Sequence, residues 1–154
     1  MKRIIGLSSL AFVLALAFSP AAFAQVPYDI AVRKTHSPAG VYVIDTTNLG
    51  PAIPGQGRID VIDLLPQGIT VTSISAPGWT CTPAVPVVGP DAITCTRLFN
   101  NLAAGAVLPS ITMKITGVAQ CPNCVRAKLY RRNTAGTYIL FPESNLGNNV
   151  SCVP

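Results

Sequence analysis

The sequence predicts an all-β antiparallel sandwich of about seven strands, and three observations carry that expectation. Short runs with a two-residue apolar period recur along the chain. Pro- and Gly-rich turn signals separate these runs at intervals of roughly 8–12 residues. Outside the N-terminal apolar run, no window sustains the 3.6-residue apolar period of an amphipathic helix.

The N-terminus reads as a secretory signal peptide over residues 1–24. Lys2-Arg3 supply a positive start, Ile4 to Phe18 an apolar core, and Ala22-Phe23-Ala24 a small-residue cleavage site. The apolar core is short against the ~20 residues that a membrane span needs. Cleavage after Ala24 leaves residues 25–154, expected to form a single domain with its own core. Of eleven Lys and Arg, nine remain against six Asp and Glu, so the exported chain carries a net charge of +3. No basic run interleaved with aromatics is present, which argues against a nucleic-acid partner. All five cysteines lie in the exported part, where oxidising conditions favour disulfides over thiol or metal chemistry.

Taken in order, Tyr28 to Lys34 alternates and reads as an edge strand, turned by Ser37-Pro38-Ala39-Gly40. Val41 to Thr47 follows, with Tyr42, Ile44 and Thr46 on one face. A loop is expected from Asn48 through Pro54-Gly55-Gln56-Gly57. The stretch Val61 to Cys95 organises the chain. Gly57 to Leu64 sets Ile59 and Val61 opposite Arg58 and Asp60; Pro66-Gln67-Gly68 turns it, and Ile69 to Ala76 is β-branched and strand-like. After the Pro77-Gly78 turn, Trp79 and Cys81 begin a segment answered by Ile93-Thr94-Cys95-Thr96. Facing strands place Cys81 and Cys95 for a disulfide. The three prolines and glycine between them predict loop rather than strand. Ile111, Met113 and Ile115 alternate with Thr112, Lys114 and Thr116; Val125 to Arg132, Thr137 to Phe141 and Val150 to Val153 complete the strands.

Several motifs invite chemistry, and each has a plainer reading. Cys121-Pro122-Asn123-Cys124 has redox-pair spacing, but a lowered thiol pKa needs a helix start, and Val125 onward reads as strand. A zinc site on Cys121, Cys124 and Cys152 lacks a placed fourth ligand, His36 being the only histidine. Asp60 and Asp63 point to opposite strand faces, so they do not form an acid/base pair; a solvated face and a turn hydrogen bond are expected instead. Trp79 reads as core packing beside a disulfide. Arg126, Lys128, Tyr130 and Arg132 share one strand face and suit an anionic surface such as lipid headgroups or acidic glycans. The plainer reading is a solvent-facing strand whose charges discourage edge pairing. No catalytic residue, metal or cofactor is implied.

The run Y-D-I-A-V-R-K, the segment V-Y-V-I-D-T-T-N-L-G-P, then D-L-L-P-Q-G-I-T-V, G-W-T-C, I-T-C-T, L-A-A-G and the terminal N-L-G-N-N-V-S-C-V together resemble a known family. It is the conserved-repeat, Ig-like family of bacterial surface proteins, the domain of unknown function eleven. The resemblance covers nearly all of the exported chain in the same motif order. It implies an Ig-like sandwich with a structural or adhesive role, a partner that is a protein or envelope component, and no catalytic residues. The chain departs from the family in carrying one module, where tandem copies are usual, and in showing no cell-wall sorting signal. The resemblance also implies that Cys124 pairs with Cys152; the residues alone leave Cys121–Cys152 open. Cys121 is then a free thiol able to bond a partner chain.

Overall fold

The structure, a computed structural model, describes Tyr28–Pro154. The signal-peptide reading of residues 1–24 lies outside the described residues. β1 (Ile30–Ser37) and β2 (Val41–Asn48) form a hairpin. Gly40 closes it with φ +72°, donating its N–H to the Ser37 carbonyl at 3.0 Å. Then come β3 (Ile53–Leu65), β4 (Ile69–Ser75), β5 (Thr80–Thr82), β6 (Val87–Val88) and β7 (Asp91–Leu102). β8 (Ile111–Gly117), β9 (Asn123–Arg132), β10 (Tyr138–Leu140), a 3-10 turn at Leu146–Asn149 and β11 (Val150–Val153) complete the chain.

Two antiparallel sheets result. One runs β1-β2-β8-β4-β6; the other runs β10-β9-β3-β7-β5, with β11 also on β9. The series β1-β2-β8-β4 facing β11-β9-β3 reproduces the four-plus-three order of an Ig constant-type sandwich. Those seven strands answer the expectation of about seven. β5, β6 and β7 are added between β4 and β8, and β10 extends β9.

The two-residue period explains the core. Ile30 and Val32 from β1, Tyr42 and Ile44 from β2, and Ile111 and Met113 from β8 point inward. They meet Ile59 and Val61 from β3, Ile93 from β7, and Val125 and Leu129 from β9. Each such side chain contributes about 1.5–3 kcal/mol by leaving water. Trp79 joins this core, donating its indole N–H to the Pro109 carbonyl at 2.8 Å. On β3, Gly57 makes room for an aromatic ring. A Cβ there would lie 2.1 Å from Phe99 Cζ, so the ring lies flat where a side chain would stand.

Four expectations need correction. Val87–Val88 pairs with Thr70 and Val71 as β6, although proline-rich sequence surrounds it. The Pro54–Gly57 segment is not loop but the start of β3, with a register irregularity between Ile53 and Gln56 that Gly55 absorbs at φ +78°. β9 is not an edge: β3 lies on one side, β10 and β11 on the other. Its charges therefore do not guard a free edge. Asp63 is neither solvated nor in a turn. It is fully buried and ion-paired with Lys34.

Candidate functional site

Strand alternation on β9 buries Val125, Ala127 and Leu129 and turns Arg126, Lys128, Tyr130 and Arg132 outward. The three cations singled out from the sequence thus share the outer face of the six-stranded sheet. Register adds a fourth. Arg58 on β3 lies opposite Tyr130, and Asp60 lies opposite Lys128. The Arg58 guanidinium carbon sits 4.2 Å from the Tyr130 ring centroid and 5.4 Å from that of Tyr138 on β10.

Asp60 is already engaged. One of its oxygens lies 3.1 Å from Arg58 Nη2, and the other accepts from Thr96 Oγ1 at 2.8 Å. Among the described residues, Arg126, Lys128 and Arg132 have no carboxylate within ion-pair distance. Arg132 instead donates from Nε to the Gly136 carbonyl at 3.1 Å and from Nη1 to Gln56 Oε1. Four cations against Asp60, which is committed to Arg58 and Thr96, and Glu143, which is tied to the Ile30 N–H, leave this face with an excess of positive charge.

A groove of about 390 Å³ opens beside these cations, between β10 and β11. Its wall combines Arg126 and Lys128 with Leu140, Phe141, Leu146 and Val150. Leu140 is 61% and Leu146 69% exposed, so the cations border an apolar surface. Glu143 lies in the same wall. Its Oε2 accepts the Ile30 backbone N–H at 2.8 Å, which ties the loop before β11 to the first strand of the opposite sheet. Burial pushes the Glu143 carboxyl above the ordinary glutamate range, with backbone hydrogen bonds opposing the shift.

Both cysteine pairs join directly opposed residues. Cys81–Cys95 links β5 to β7, and Cys124–Cys152 links β9 to β11. Cys95 faces the core at 1% exposure, whereas Cys124 lies on the same face as Arg126. Cys121 is free and exposed. With Cys124 bridged, the C-x-x-C motif has lost its second thiol, and the same bridge removes Cys124 and Cys152 as metal ligands.

Arg58 was legible as a polar position on β3, but nothing local to it announces Tyr130, which lies far along the chain. The apolar groove gave no sequence signal, because Leu140, Leu146 and Val150 come from three separate short segments. Compared with known proteins, the chain matches no family model and no curated sequence.

Proposed function

We propose that this protein is an exported, non-enzymatic Ig-like module of the bacterial surface or envelope, with a structural or adhesive role. It attaches to an anionic envelope component through the outer face of β9. One observation carries the reading: Arg126, Lys128 and Arg132 project together from an interior strand with no carboxylate partner among the described residues. Interior strands need no charged guard against edge pairing, so the cations call for another explanation. Arg58 and the exposed apolar wall beside them extend the same surface. Export is supported by the signal-like N-terminus and by two disulfides, which persist in oxidising compartments.

The test is binding of the purified protein to envelope fractions and to a sulfated polysaccharide across a salt series. Binding is expected to weaken as salt rises, and to vanish when Arg126, Lys128 and Arg132 are all replaced by glutamine. Salt-independent binding that survives the triple replacement would leave these residues as ordinary solvated side chains.

A further inference from the structure

Lys34 and Asp63 meet between the sheets. Lys34 points inward from β1 in one sheet, and Asp63 points inward from β3 in the other. Lys34 Nζ lies 2.6 Å from Asp63 Oδ1 and 2.7 Å from Oδ2. Neither side chain exposes any surface. The ring of Tyr42, with its centroid 4.1 Å from Nζ, covers another side of the amine.

A buried ion pair is a costly way to hold two sheets together, since the desolvation of both charges rivals their attraction. Burial lowers the Lys34 pKa and raises that of Asp63, each shift opposed by the partner. Both displacements favour the neutral forms, a free amine and a protonated acid. Those are a nucleophile and an electrophile in contact.

We propose that Lys34 and Asp63 condense into an intramolecular amide that joins the two sheets covalently. A proton first passes from Nζ to a carboxylate oxygen along the existing hydrogen bond. The Nζ lone pair then attacks Cγ, forming the C–N bond and a tetrahedral centre. A second Nζ proton moves to the hydroxyl oxygen, the C–O bond breaks, and one water leaves. No oxidant or co-reactant enters the balance. Holding the reacting groups in contact makes the step effectively unimolecular, and full burial shields both groups from bulk solvent. Asn123 on β9 lies on the same inward face, two residues from Val125, the register partner of Asp63. It is fully buried, and both its amide atoms lack a protein partner among the described residues. It thus leaves a donor and an acceptor uncommitted on that face.

A tryptic map of the purified, reduced and alkylated wild-type protein tests the proposal. Trypsin cuts after Arg33, Arg58 and Arg97 but cannot cut after an acylated Lys34. The expected product joins the peptide Lys34–Arg58 to the peptide Ile59–Arg97, lighter than their sum by one water. Recovery of free Thr35–Arg58 and free Ile59–Arg97, with no joined species, would overturn the proposal. Asp63→Ala is expected to abolish the joined species. A joined species that persists in Asp63→Ala would place the bond elsewhere and overturn it too.

Discussion

Arg58 stacks on Tyr130: the guanidinium carbon is 4.2 Å from the ring centroid, across the register of β3 and β9. The contact fixes one cation of the outer face against the sheet while Arg126 and Arg132 remain exposed. Arg58→Ala removes this stacking together with the ion pair to Asp60. Both are partly solvated, so the loss of stability should be about 1 kcal/mol. Chemical denaturation measures it. On the proposed function, binding to a sulfated polysaccharide should also weaken. Arg58→Lys should not restore the stacking, because an ammonium lacks the flat guanidinium.

Lys34→Met should be far more damaging. It leaves the Asp63 carboxyl stranded in the core, where the wild type holds it against or joins it to Lys34, and breaking one side of a buried pair costs about 3–5 kcal/mol. With the lysine gone, burial alone acts on Asp63 and raises its folded pKa further above the unfolded value. A group with a raised folded pKa contributes stability below its unfolded pKa and loses it as pH rises through the folded one. The variant should therefore be more stable in mild acid than at neutral pH. The double replacement Lys34→Met with Asp63→Leu should recover the part of the loss that comes from the stranded carboxyl, though not the part that an amide between the two residues contributes, and abolish that pH dependence. Thermal unfolding at several pH values checks both expectations.

Glu143 follows the same sign on a smaller scale. Its carboxyl is pushed up by burial, so ionising it in the folded protein costs stability as pH rises past the glutamate range. Glu143→Gln keeps the shape and an acceptor for the Ile30 N–H. It should be neutral or slightly stabilising at neutral pH, within about 1 kcal/mol, and should flatten the pH profile in mild acid. Destabilisation at neutral pH would show that the charge itself is needed.

The cysteines yield a direct chemical prediction. A non-reducing peptide map should join Cys81 to Cys95 and Cys124 to Cys152, leaving Cys121 reactive. Replacing both Cys124 and Cys152 by serine should cost about 3–4 kcal/mol for a loop of this size. A fraction of covalent dimer or partner adduct should appear on non-reducing gels and disappear in Cys121→Ser.

Much of this fold was legible because alternation is a local property. Tyr42, Ile44 and Thr46 announce one buried face within a single strand, and Ile111 and Met113 announce another. What escaped depends on distant neighbours. β6 is only Val87–Val88, and it is a strand because β4 offers a free edge; its own prolines argue against it. Asp63 looks like any polar strand residue until Lys34, on a different sheet, is brought against it. Arg126, Lys128 and Arg132 were found by their spacing alone, yet their meaning changed once β10 and β11 flanked β9. Register between strands decides such matters, and no short stretch of sequence contains it.

The Cys124–Cys152 bond also sets how the fold would answer a pull at Pro154. β11 is a short last strand, and hydrogen bonds alone would let it peel from β9 one residue at a time. With the bond in place, tension applied at Pro154 can free little more than Val153 before it reaches Cys152. From there it passes straight to β9, which is seated between β3 and the C-terminal strands. The intervening chain, spanning a separation of 28 residues, is bypassed and lends no extension. A tether hung from this C-terminus would stay short until the sandwich itself gave way.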